Sequence, residues 1–115
     1  MSMAVTRSRD QHETRPGRLA VVAASLEDLH GPVSGKAVLP LRLFWSPAGR
    51  VWDLDDTEIL QAMYEAVLGG AIVEEELADW LDGARLAAVW PDLYLPRGVR
   101  QAWEERHPQL RAAAA

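Results

Sequence analysis

Cysteine is absent from the chain. Its absence excludes disulfides, thiolate nucleophiles and every zinc site built on cysteine, and it suits a reducing compartment. Long hydrophobic runs are lacking too. The apolar stretch LAVVAA, Leu19 to Ala24, is six residues long, whereas a membrane-spanning helix needs about 20. The basic opening is not followed promptly by an apolar segment with a cleavage site, so no secretory signal is recognisable. Together these features lead to the expectation of a soluble, cytoplasmic protein. Internal repeats are missing, and the terminal AAAA is expected to fray, over residues 111–115.

The usual catalytic and ligand-binding patterns are also missing. None of Ser2, Ser8, Ser25, Ser34 and Ser46 lies in a G-x-S-x-G nucleophile elbow. The run GPVSGK echoes a phosphate-binding loop, but Ala37 stands where Ser or Thr should follow the lysine, and the spacing from Gly31 to Gly35 is one residue short. His12, His30 and His107 have neither the i, i+4 spacing nor the matching carboxylates of a metal motif. The run DLDD lacks the further oxygen ligands, glycine and distal glutamate of a calcium loop, so Asp55 and Asp56 read better as helix-capping residues. No enzyme activity, metal ion or cofactor is expected.

What is present is enough for one domain. The chain has 115 residues, of which 49% are hydrophobic, with five tryptophans to supply large apolar faces. Residues 1–18 are polar, are expected to form a disordered tail, and carry Arg7, Arg9, Arg15 and Arg18 against Asp10 and Glu13, a charge of +2. The whole chain is at −5, which leaves −7 on the body from Leu19 onward. An acidic body disfavours nonspecific nucleic-acid binding and is compatible with a basic protein partner. It also promotes solubility.

The body, residues 19–110, reads as a single α+β domain: a small β-hairpin or sheet covered by about four helices. A helical turn over Leu26–Leu29 should stop at Gly31 and Pro32. KAVLPLRLFW alternates as a strand, with Ala37, Leu39, Leu41, Leu43 and Trp45 on one face. Pro40 cannot donate to a ladder, so the strand should lie at an edge or bulge. The SPAGR turn, with Pro47 and Gly49, leads to a second strand, RVWDL.

The first helix should start with Asp55 as N-cap and Glu58 three residues on, bury Ile59, Leu60, Met63, Tyr64, Ala66 and Val67, and end at Gly69 and Gly70. In the next, Val73, Leu77, Trp80 and Leu81 share a stripe, while Glu74, Glu75 and Glu76 load the first turn as the helix dipole favours. Asp82 should cap a third helix up to Pro91. A fourth should run from Pro96, at its first position, to Arg106, with Val99 and Trp103 inward and Pro108 ending it. Trp90 and Trp103 are expected as core anchors, together with Leu39, Leu41, Leu43, Met63, Val67, Leu77, Trp80 and Val99.

Three phrases, LEDLHGPVSGKAVLPLRLFW, VWDLDDTEILQAMYEAVL and LPRGVRQAWEERHPQL, cover most of Leu26 to Leu110. In them the chain resembles a group of small, mostly uncharacterised actinobacterial proteins with an LxGPxSGxxxLPxxLxW opening. These in turn look like proteins encoded beside nucleotidyltransferase toxins of the AbiEii type. The resemblance implies an antitoxin-like protein that binds and neutralises such a toxin, which attacks tRNA ends. The usual larger antitoxin of that system carries a winged-helix DNA-binding domain, and this chain is too short for that domain plus an equally large second one.

Asp53, Glu74, Glu75 and Asp79 are the expected contributors to partner binding, with Arg97 and Arg100 as a secondary anchor. A homodimer is compatible with the same features. The alternative is a small DNA-binding regulator using the arginine-bearing last helix. Against it, the linker PDLYLP is long for a helix-turn-helix, and Gln101 is the sole amide on that helix.

Overall fold

The computed structural model describes residues 13–15, 18–44 and 49–114, with side chains over residues 20–44 and 49–111. Most of the tail, His12, Trp45 and Pro47 lie outside the described residues. At the end of the expected tail, β1 (Glu13–Arg15) pairs antiparallel with β2 (Arg18–Leu19), with an irregularity between Glu13 and Arg15. The tail expected over residues 1–18 is thus interrupted by strand pairing before it reaches Leu19.

The expected fold class holds: this is an α+β chain with a small antiparallel pairing beside a set of helices. The turn expected over Leu26–Leu29 forms as a 3-10 turn over Leu26–Asp28. Ser25 caps it, its hydroxyl accepting from the Glu27 amide at 3.2 Å. The chain then runs against the junction of two later helices. The His30 amide donates to the Ala78 carbonyl, Gly31 to Leu81, and Gly83 back to Leu29. At Gly31 a side chain is sterically impossible without movement, because a Cβ would overlap the Trp80 carbonyl carbon and lie 2.7 Å from the Leu81 nitrogen. The HGP signature is therefore a backbone-to-backbone crossing.

The long strand expected over KAVLPLRLFW does not form. Only β3 (Lys36–Ala37) is strand, pairing antiparallel with β4 (Trp52–Asp53) so that Lys36 faces Asp53 and Ala37 faces Trp52. Pro40 is the cause. Its nitrogen cannot join a ladder, and its carbonyl instead closes a turn by accepting from the amides of Leu43 and Phe44. The turn breaks the period of two, so Leu39 and Leu43 are buried while Leu41 points out, 65% exposed, against expectation. β3 is entered through Gly35, at φ +79°, a left-handed conformation that glycine adopts freely.

Helix α1 (Thr57–Gly70) buries Leu60, Met63, Tyr64, Val67 and Leu68. Ile59 and Ala66 are half-buried at the edge of that stripe. Its N-cap is Asp56, not Asp55: the Asp56 carboxylate accepts from Glu58 N at 3.0 Å and Ile59 N at 3.3 Å. Asp55 is drawn away to the Gly35 amide, 3.2 Å off, and so ties α1 to the strand pair.

Helix α2 (Glu74–Trp80) buries Leu77, and Leu81 follows it into the core. Trp80 is only half-buried. Asp82 caps α3 (Gly83–Val89) as expected, accepting from Arg85 N at 2.9 Å. A 3-10 turn (Trp90–Asp92) leads to α4 (Arg97–Arg106). Pro96 sits one position earlier than expected, as N-cap residue. Pro108 ends α4 but also starts α5 (Pro108–Ala114), the place where its missing N–H is least costly. Backbone that was expected to fray over 111–115 is therefore helical up to Ala114.

One apolar cluster joins all these pieces, and Trp52, Trp90, Trp103, Met63, Tyr64 and Leu77 are among its fully enclosed members. Two polar contacts inside it fix the C-terminal helices. The Trp90 indole N–H donates to Glu104 at 2.9 Å. The His107 ring, buried beside Trp103, places Nε2 2.7 Å from the Ala23 carbonyl oxygen.

Candidate functional site

The acidic run at the start of α2 stands at the mouth of an open groove. Its placement begins with the cap. Val73 occupies the N-cap position and offers no side-chain oxygen. Glu76 serves in its place: one carboxylate oxygen accepts from the Ile72 amide at 2.8 Å, and the other is held by the Arg42 guanidinium. Burial alone would raise the Glu76 pKa. The Arg42 hydrogen bond and ion pair, with the Ile72 amide, outweigh it and hold the carboxyl below its ordinary value.

With Glu76 so occupied, Glu74 and Glu75 project outward from the first turn. Val73 is 46% exposed. It precedes the helix, so the i, i+4 relation to Leu77 that suggested a core position does not apply to it.

The groove has a volume of about 680 Å³ and lies between the chain leaving β2 and the start of α2. Ala23 and Leu29, both buried, with half-buried Ala78, make its apolar floor. Asp28, Glu74, Glu75, Ile72 and Val73 are exposed and form the rim, and Val21 completes the lining. The two sides are joined by a long hydrogen bond, 3.4 Å, from the Ala24 amide to Glu74.

Of the expected partner-binding residues, Glu74 and Glu75 share this groove. Asp79 is exposed on the same helix, four residues after Glu75 and so on the same face. Asp53 is elsewhere: half-buried in β4, its carboxylate accepts from the Asp55 amide at 3.1 Å. Arg97 is exposed at the start of α4. Arg100 is committed to the fold. Its guanidinium donates to the carbonyls of Trp90 and Leu93, lies 5.0 Å from the centre of a Trp90 ring and sits 3.6 Å from Glu104. Sequence reasoning missed Asp28, Ile72 and Val73. The signal was available in GAIVEEE, where two β-branched residues precede the acidic run and cannot all be helix interior.

A smaller pocket, about 180 Å³, is lined by Ser34, Asp55, Thr57 and Arg85 among others. It does not restore the phosphate-loop reading, because Lys36 opens a strand instead of a helix. Among the described residues, no group of three His, Asp or Glu is placed to hold a metal ion, and no helix is long and apolar enough to cross a membrane.

Fold and groove thus define an α+β chain with an acid-rimmed apolar surface. Comparison with protein-family models, characterised proteins and solved structures gave no match.

Proposed function

We propose that this chain is an antitoxin-like binding protein, acting in the cytoplasm, that neutralises a nucleotidyltransferase-type toxin. The observation that carries the reading is the groove beside α2, where exposed Asp28, Glu74 and Glu75 ring an apolar floor. A transferase acting on tRNA ends needs a basic cleft. Carboxylates ringing an apolar surface complement such a cleft in charge and in hydrophobicity, and the excess negative charge of the body accelerates encounter. The protein works by occupying a surface, not by chemistry of its own.

The DNA-binding alternative has less to draw on. Arg100 is tied to Trp90, Leu93 and Glu104, and Arg111 stands 3.7 Å from Glu104. Arg97 and Arg106 are left exposed on α4.

The test is binding to the product of the neighbouring gene and, separately, to promoter DNA, each at two salt concentrations. The expected result is a protein complex whose association slows when Glu74, Glu75 and Asp79 are changed to lysine, most clearly at low salt. Absence of a complex, with promoter binding that falls steeply with salt and is lost when Arg97 is reversed, would replace the antitoxin reading by the regulator.

A further inference from the structure

We infer that the groove beside α2 takes an extended, lysine- or arginine-bearing segment of a partner protein, which adds as a strand along Val21 and Val22. The inference rests on the protein-binding reading above and specifies its occupant.

Backbone accounting is the first reason. After β2 the chain continues without regular structure, and among the described residues the backbone groups of Val21 and Val22 make no hydrogen bond. The next two residues are pinned: the Ala23 carbonyl is bound by His107, and the Ala24 amide by Glu74. Val21 lines the groove. A stretch of chain whose donors and acceptors are unused among the described residues, beside an apolar cleft, is a template for strand addition.

Charge and shape supply the rest. An added strand alternates its side chains. One set would rest on the floor of Ala23, Leu29 and Ala78, and long basic side chains would reach Asp28, Glu74 and Glu75 at the rim. The groove is open to solvent along its side, so a small molecule would stay largely uncovered, whereas small-molecule sites enclose roughly 70–90% of their ligand. A polypeptide segment covers such a surface while continuing beyond it.

The probe is a synthetic peptide of about eight residues alternating valine and lysine, titrated into the full chain and followed by amide NMR. The expected result is shifts at Val21, Val22, Glu74 and Glu75, with slowed hydrogen exchange at one of the two valine amides, since neighbouring amides of an extended chain point to opposite edges and an added strand pairs with one edge. Binding should weaken roughly tenfold or more in Glu74→Lys/Glu75→Lys, and similarly when alternate peptide amides are N-methylated. An N-methylated peptide that binds equally well overturns strand addition. Unchanged groove resonances overturn the site.

The partner reading fails separately. A complex with the neighbouring gene product that survives Glu74→Lys/Glu75→Lys refutes the groove and keeps the partner. Peptide binding without that complex keeps the groove and refutes the partner.

Discussion

Replacing Gly83 with alanine should destabilise the protein, although it places a better helix former at the first residue of α3. Gly83 lies against the 3-10 turn of Leu26–Asp28. An added Cβ would overlap the Leu26 carbonyl oxygen and sit 3.0 Å from its carbonyl carbon. The obstacle is backbone, which has no rotamer to turn aside. Separation by about 1 Å is needed to reach an ordinary contact of ~3.3 Å or more between carbon and oxygen. That movement strains the overpacked site by ~1–3 kcal/mol. It also weakens the Gly83 amide to Leu29 carbonyl bond, 3.3 Å long, worth about 1 kcal/mol. Against this stands a propensity gain of up to ~1 kcal/mol.

The expected net loss is therefore ~1–3 kcal/mol. Gly69→Ala is the control. Gly69 is helical, and a Cβ there would have nothing within 4 Å. This variant should gain ~0.5–1 kcal/mol. Urea unfolding followed by tryptophan fluorescence measures both against wild type. If Gly83→Ala proves neutral or stabilising, α3 does not cross the Leu26 turn at this distance.

Leu77→Ala should cost ~2–5 kcal/mol, since Leu77 is fully enclosed; a loss under about 0.5 kcal/mol in the same assay would mean that α2 presents another face. Tyr64→Phe should cost ~1–3 kcal/mol, because the Asp82 amide, 3.0 Å from the tyrosine oxygen, loses its acceptor in a part-buried place. Burial raises the Tyr64 pKa, so wild-type stability should fall as pH climbs above the unfolded value of about 10, and Tyr64→Phe should lack that fall in a pH series of thermal melts. Glu76 has the opposite sign: its lowered pKa contributes stability that is present above the unfolded value of about 4.3 and disappears as pH drops through the folded one. Glu76→Gln should remove that part of the acid dependence, and an unchanged profile would show that the Arg42 contact contributes nothing.

Local signals in the sequence located most of the helices. Asp82 caps α3, Gly70 ends α1, and Trp90 and Trp103 are enclosed as expected. Each of these depends on neighbours within a turn or two, or on side chains too large and apolar to leave in water. The expectations that failed depended on competition between local options. Leu41 sits in a run that alternates like a strand, yet Pro40 offers a closed turn that satisfies two amides at once. Asp55 and Asp56 both precede α1 as capping candidates, and the distant Gly35 amide decided which one caps.

For the candidate site, the sequence by itself determined the sign of the charge and put three glutamates in the first turn of α2. Only tertiary structure decided what those glutamates do. Arg42, packed from 34 residues away, takes Glu76 and leaves Glu74 and Glu75 at the surface. The segment at Val21–Ala24 lies farther still along the chain, with Ala24 50 residues from Glu74, and it is brought to the same place by the His107 contact to Ala23 and the Glu74 contact to Ala24. Arg100 looks no different from Arg97 in one dimension, and packing against Trp90 commits it to the fold and leaves it only half-exposed. The physical reason is common to all three. A side chain's type and its place along an element follow from local preference, but its partner is whichever group the closing core leaves within reach.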